Sequence, residues 1–153
     1  MRFSFYLASE ATTPGQLDGH LANLLHKLYA MGQRVLVRCP NTDRAARLSS
    51  LLWKTPPESF LPHSCEGQNL PAGQQPVYLT TQEGNPNQAT MLLRLTGSHE
   101  NTEGFDEVVE FFSGLEAEKA AARTRWKMAS EKGHPRRFFA QENGRWALKQ
   151  EAG

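Results

Sequence analysis

The chain has 153 residues, of which 39% are hydrophobic and 22% charged, and its formal net charge is +1. A chain of this length fits one domain over residues 1–153 and buries about two-thirds of its unfolded surface, so we expect folding without disulfides or a structural metal. No apolar run approaches the roughly 20 residues of a membrane span, and the first residues contain no signal-peptide cleavage site. We therefore expect a cytoplasmic protein without membrane contact.

The first half of the chain alternates between strand and helix patterns. Arg2 to Leu7 alternates apolar and polar residues, as a strand does. A helix follows, with Thr13 as its N-cap and a stop at Gly32. The apolar run at 34–38 is typical of a buried parallel strand, and Asn41 to Trp53 predicts a second amphipathic helix.

The second half predicts further strands and one last helix. Residues 64–75 are rich in Gly, Pro, Asn and Gln, which indicates a loop. The predicted strands are 77–81, 91–95 and 107–112, and the predicted helix is 115–132. For residues 134–153 both an extended tail and a last strand at 136–140 remain open. This order predicts a single-domain α/β fold, a Rossmann-like three-layer sandwich with a mostly parallel sheet flanked by helices.

The sequence contains no recognisable catalytic or metal-binding motif. The turn from Ser9 to Gly15 lacks both glycine-rich phosphate loops, and Glu10 would repel a phosphate. The five histidines are scattered singly, and no serine lies in a nucleophile elbow. We therefore expect no catalytic residue, no cofactor and no metal site.

The two cysteines lie at a predicted strand end (Cys39) and in a predicted loop (Cys65). Neither has a further cysteine or histidine at metal-ligand spacing. A chain without an export signal keeps its thiols reduced in the cytosol, so we expect free thiols, while a disulfide between the two stays open.

Two segments carry more specific information than the rest. Leu52 to His63 places large apolar side chains on a backbone that three prolines keep from being helical, so Trp53, Phe60 and Leu61 either fill the protein's own core or await a partner. In the last helix Lys119, Arg123, Trp126 and Lys127 share one stripe. In a generic helix the tryptophan would pack on the core and the cations would face solvent.

The charge distribution adds to the interest of the last helix. From residue 116 to residue 149 there are nine Lys or Arg against four Glu, a net charge of +5, whereas the whole chain carries only +1. Such asymmetry suits an acidic partner at the C-terminal end, although a solvated basic helix explains it equally well.

Both segments resemble the chi subunit family of the bacterial DNA polymerase III holoenzyme. The similar blocks are Trp53 to His63, with its Pro-Glu-Ser-Phe-Leu-Pro-His run, and Ala122-Arg-Thr-Arg-Trp-Lys127. The resemblance covers nearly the whole chain and rests on the order and spacing of the motifs. It implies a non-catalytic accessory subunit of the clamp-loader assembly, which bridges the psi subunit to the acidic C-terminal tail of single-stranded DNA-binding protein.

The resemblance also implies a role for individual residues. Arg123 would hold the terminal carboxylate of a tail that ends in Pro-Phe, and Lys119 and Lys127 would hold its aspartates. Trp126 and Phe112 would form the walls of the slot for the tail's phenylalanine.

A second surface would dock psi and, through psi, the clamp loader. Its residues would be Trp53, Phe60, Leu61, Pro62 and His63. Little direct nucleic-acid binding is implied. Two alternatives stay open: a small Rossmann-like enzyme that acts on an anionic substrate in the Arg123 pocket, and direct nucleic-acid binding, which would depend steeply on salt.

Overall fold

A computed structural model describes residues 1–54, 61–67, 73 and 75–153. Its helices and strands are, in chain order, β1 (Arg2–Ala8), α1 (Pro14–Ala30), β2 (Val35–Arg38), α2 (Thr42–Trp53), β3 (His63–Cys65), β4 (Val77–Thr80), β5 (Met91–Leu95), β6 (Glu107–Ser113), α3 (Glu116–Glu131), β7 (Arg136–Glu142) and β8 (Arg145–Ala152).

The strands form one sheet in the order β3-β4-β2-β5-β6-β1-β7-β8. All neighbouring strands pair in parallel except the last pair, β7 and β8. Strand β1 lies between β6 and β7, where Phe5 pairs with Glu110 of β6 and Phe138 of β7. The predicted α/β class with a mostly parallel sheet is therefore confirmed.

The predicted boundaries agree with the structure to within about two residues wherever a periodic pattern set them. The Thr13 hydroxyl accepts a hydrogen bond from the amide of Gln16 at 3.1 Å, so α1 begins at its predicted cap. The Asn41 side chain accepts a hydrogen bond from the amide of Arg44 at 2.8 Å and caps α2. One expectation was wrong: Cys65 lies in β3 rather than in a loop. Three residues are too few for an alternation to show, and pairing with β4 alone makes them a strand.

The C-terminal segment forms a hairpin rather than a tail. Strand β7 includes the possible strand at 136–140, and β8 pairs antiparallel with it. The two strands are joined by Asn143 and Gly144, whose φ angles of 51° and 76° are both positive, as in a tight hairpin turn of the primed type. An Asn-Gly pair between two strand-like runs is a strong sequence signal for such a hairpin.

The two faces of the sheet are covered unequally. Helices α1 and α2 bury leucines on one face, among them Leu21, Leu25, Leu48 and Leu52. On the other face α3 contributes only the small side chains Ala122 and Ala129 to the buried core, with Trp126 packed partly against it. A slim helix beside large strand residues leaves space along its flank, and this space becomes the candidate site.

The two cysteines lie in the interior of the domain. Cys39 and Cys65 are both buried, and no disulfide joins them. Burial raises the pKa of Cys39 to about 12 and also raises the pKa of Cys65, so both stay protonated at neutral pH. Within the described ranges no group of three or more potential metal ligands comes together, and no helix there is long and apolar enough to cross a membrane.

Candidate functional site

A cavity of about 310 Å³ lies between α3 and the strands β1, β6, β7 and β8. The residues that line it are Phe5, Leu7, Phe112, Lys119, Ala122, Arg123, Trp126, Phe138 and Gln150. The strands supply mainly aromatic and aliphatic side chains, whereas α3 supplies two cations. The cavity is therefore an apolar slot with positive charge at its helix side.

Helical geometry explains how α3 reaches the cavity with four side chains. Residue 119 lies three and four positions before residues 122 and 123, and residue 126 lies four and three positions after them, which places all four side chains on one helix face. Ala122 in their middle is small and buried, so the cavity can extend up to the helix backbone.

Aromatic contacts shape the floor of the cavity. The ring of Trp126 meets Phe5 edge to face, with 5.2 Å between the ring centroids, and Phe112 lies 6.5 Å from Phe138. Arg136 of β7 lies over the Trp126 ring, 5.2 Å from its centroid. Trp126 is thus held from two sides, which fixes the orientation of one wall of the slot.

Four of the five residues predicted for this site line the cavity: Phe112, Lys119, Arg123 and Trp126. The fifth, Lys127, is exposed and lies outside the lining, because it is one position beyond Trp126 and therefore about 100° further around the helix. Phe5, Leu7, Phe138 and Gln150 also line the cavity, although no sequence pattern marked them. They come from three strands that only the sheet order brings together.

An internal carboxylate already faces the two cations. Glu116 lies 3.5 Å from the Arg123 guanidinium and 3.7 Å from the Lys119 amine. The Arg123 side chain is 64% exposed, and ion pairs in such a position contribute at most about 1 kcal/mol. A carboxylate on a ligand could therefore replace Glu116 at little cost.

Arg125 points the opposite way and fastens α3 to the sheet. Its guanidinium reaches Glu110 of β6 and Glu100, and Arg94 of β5 donates to the same Glu110 at 2.6 Å. Burial by itself would lower the pKa of Arg125, but the nearby charge of Glu110, with that of Glu100, raises it. Between Arg123 and Trp126, Arg125 thus has an anchoring role that its place in the motif did not reveal.

The residues predicted to bind psi differ in their exposure to solvent. Trp53, the last residue of α2, is 48% exposed and Pro62 is partly exposed, whereas Phe60 lies outside the described residues. Leu61 is 0% exposed and His63 is 2% exposed. Leu61 packs in the core of the α1 and α2 face and His63 lies in β3, so of the two readings open for Leu61 the structure favours the core. The part of both residues in psi binding stays a prediction.

His63 supports the exposed tryptophan from below. Its Nδ1 lies 2.9 Å from the carbonyl oxygen of Leu61, and its Nε2 lies 3.2 Å from the hydroxyl of Ser49. A carbonyl oxygen only accepts, so Nδ1 is the nitrogen that donates. The His63 ring lies 4.6 Å from the Trp53 ring. The two hydrogen bonds fix the orientation of the His63 ring, and this ring packs against the indole of Trp53.

The fold and the cavity define a Rossmann-like α/β domain with a cation-rimmed aromatic slot beside its third helix. Residues 1–137 match the model of the family described as DNA polymerase III chi subunit, HolC. The DNA polymerase III subunit chi of Escherichia coli (strain K12) is 32% identical over 129 residues, which cover 81% of this chain and 87% of that protein. The subunit chi of Haemophilus influenzae (strain ATCC 51907 / DSM 11121 / KW20 / Rd) is 25% identical over 127 residues, which cover 80% and 85%. The chain belongs to the DNA polymerase III chi subunit family.

Proposed function

We propose that this chain is a non-catalytic accessory subunit of the DNA polymerase III clamp-loader assembly, and that it bridges the psi subunit to the acidic C-terminal tail of single-stranded DNA-binding protein. The observation that carries the proposal is the cavity itself. In a chain of the chi family, Phe112, Trp126, Arg123 and Lys119 line one slot of about 310 Å³. An aromatic slot with cations at one side suits a peptide that ends in an aromatic residue and a free carboxylate.

The terminal phenylalanine of the tail would enter the slot between Trp126 and Phe112. Its carboxylate would displace Glu116 and bind the Arg123 guanidinium, which can donate two parallel hydrogen bonds to a carboxylate. Lys119, which also faces Glu116, would attract an acidic side chain of the tail. Lys127 lies outside the cavity lining, so its attraction for the tail would act at longer range.

The psi subunit would dock on the Trp53 to His63 segment. Trp53 would be the main contact, with Pro62 beside it, while Leu61 and His63 would support the surface from within. Phe60 remains part of the proposed contact. The clamp loader would be reached indirectly, through psi.

A titration separates the peptide-binding function from its rivals. An acidic peptide that ends in Pro-Phe should bind the protein, and the same peptide with an amidated terminus should bind much more weakly, because Arg123 then loses its carboxylate. Inorganic phosphate, nucleotides and single-stranded oligonucleotides serve as the comparison ligands. Saturable binding of a nucleotide in place of the peptide would favour the enzyme alternative, and steeply salt-dependent oligonucleotide binding would favour direct contact with nucleic acid.

The psi surface has its own test. Trp53→Ala should weaken psi binding in a pull-down with purified psi and leave peptide binding unchanged, because Trp53 does not line the cavity. Arg47→Ala, which changes an exposed residue of α2 outside this segment, is the matched control. Undiminished psi binding by Trp53→Ala would place the psi interface elsewhere.

A further inference from the structure

The side chains that line the slot differ in the hydrogen bonds they can form. Lys119 and Arg123 carry donors and no acceptor, and Trp126 carries only the donor of its indole. The amide of Gln150, on β8, carries an acceptor oxygen as well as donors. The remaining lining residues have apolar side chains: Phe5, Leu7, Phe112, Ala122 and Phe138. Among the described residues, Gln150 therefore supplies the one side-chain acceptor in the slot lining.

Gln150 lies at the end of a row of residues that crosses the sheet along the slot. It pairs with Phe138 of β7, and Phe138 pairs with Phe5 of β1. Paired residues project from the same face of a sheet, and here all three line the slot. Within the described part of the chain, the Gln150 side chain is exposed and forms no hydrogen bond, so its oxygen is open to a ligand.

An irregularity in β8 places this glutamine in the row. Leu148 pairs with Phe139 and Gln150 pairs with Phe138, so Lys149 between them has no partner on β7 and forms a β-bulge. An uninterrupted register would set Lys149 opposite Phe138 instead. The Lys149 amine forms an ion pair elsewhere on the hairpin and lies outside the slot lining. The bulge thus exchanges a lysine, which can only donate, for a side chain that can accept.

We propose that Gln150 is a specificity-determining residue of the slot, and that its side-chain oxygen accepts a hydrogen bond from the main-chain N–H of the aromatic residue that ends the bound peptide. The proposal rests on the proposed function, since it concerns the same ligand. It adds to the site a residue of the C-terminal hairpin, which lies beyond the residues 1–137 that match the family model.

The chemistry of the peptide end explains why an acceptor is needed there. Proline has no main-chain N–H, so the N–H of the final residue is the only main-chain donor in a Pro-Phe end. This N–H loses its water when the phenylalanine enters an apolar slot, and an unsatisfied donor is costly. Arg123 and Lys119 cannot accept it, whereas Gln150 faces the same space from the sheet side. A neutral amide also does not repel the peptide's carboxylate, as a glutamate at this position would.

The experiment compares two acidic peptides that differ in one group. One ends in Pro-Phe, and in the other an ester oxygen replaces the N–H between the last two residues. Gln150→Met keeps the length of the side chain and removes its acceptor. It should weaken binding of the amide peptide by about 3- to 10-fold, as expected for one neutral hydrogen bond, and leave binding of the ester peptide nearly unchanged. Gln82→Met, which changes an exposed glutamine outside the slot lining, should bind both peptides as the wild type does.

The wild type provides a comparison that needs no variant, because the ester peptide should bind it more weakly than the amide peptide by a similar factor. Isothermal titration calorimetry gives the dissociation constants. Position 150 is exposed on an edge strand, so the thermal unfolding midpoint of Gln150→Met should match that of the wild type.

The outcomes separate this proposal from the function beneath it. Equal losses for the two peptides in Gln150→Met, or equal binding of both peptides by the wild type, would overturn the role of Gln150. Where binding of the amide peptide still depends on Arg123 in that case, the proposed function stands. Where the wild type binds neither peptide, both proposals fall.

Discussion

The cavity beside α3 and the segment from Trp53 to His63 differ in how far their sequence predicted their structure. On α3, Lys119, Arg123 and Trp126 line one cavity, as their spacing predicts. In the other segment Leu61 and His63 are buried, although the sequence includes them in a surface predicted to bind a partner. A helix turns by a fixed angle per residue, so spacing tells which side chains share a face, whereas a proline-rich loop has no such period. Residue spacing therefore predicts which side chains form a site on a helix, but not in a loop.

The largest change in stability is expected in the ion-pair network that anchors α3 to the sheet. In Glu110→Ala the buried guanidinium groups of Arg94 and Arg125 lose the carboxylate they share, and the free energy of unfolding should fall by about 3–5 kcal/mol. Urea unfolding at neutral pH measures this change. Glu131→Ala, which removes an exposed carboxylate from α3, should stay within about 0.5 kcal/mol. Equal stability of the two variants would show that the network does not hold α3.

A second variant tests whether Leu61, in the segment from Trp53 to His63, is a core residue. Leu61→Ala should lower the free energy of unfolding by about 2–5 kcal/mol, because it removes a fully buried side chain from the core. Chemical denaturation of Leu61→Ala and of the exposed control Lys54→Ala provides the measurement. A variant that keeps wild-type stability but loses psi binding would return Leu61 to the docking surface.

A smaller effect is expected at the rim of the slot. Arg123→Ala should weaken binding of an acidic peptide ending in Pro-Phe by about 2 kcal/mol, the lower end for breaking a charge pair, since the free side chain is 64% exposed. Lys127→Ala lies outside the lining and should cost about 0.2–1 kcal/mol, an effect that salt screens. Isothermal titration calorimetry at two salt concentrations distinguishes the two. Equal losses would mean that Lys127 contacts the bound peptide as closely as Arg123 does.

The smallest effect concerns the pH dependence of stability at the anchor. Burial alone would raise the pKa of Glu100, but the hydrogen bond and the charge of Arg125 outweigh it and hold the pKa below its ordinary value of 4.5. The stabilisation is present above pH 4.5 and is lost as the pH falls through the lower folded-state pKa. Glu100→Gln should therefore be slightly less stable than the wild type at pH 7 and equal to it in strong acid. The Glu100 side chain is 67% exposed, which keeps the difference small, and a difference that grew toward acid would contradict the assignment.

Local sequence patterns determined the helices, most strands and the fold class. Thr13 and Asn41 mark helix starts by a mechanism that needs only neighbouring residues, and the continuous apolar run of β2 indicates a strand that is buried on both faces. The cation stripe of α3 was likewise readable, because its members lie within three turns of one helix.

The tertiary structure decided everything that depends on contacts between distant segments. The sheet order places β1 between β6 and β7, and so brings Phe5, Phe112 and Phe138 under α3, although more than 100 residues separate the first from the other two. The same holds for the interior position of Leu61. Side-chain direction in a loop, and proximity across a sheet, follow from packing of the whole chain, because no local periodicity encodes them.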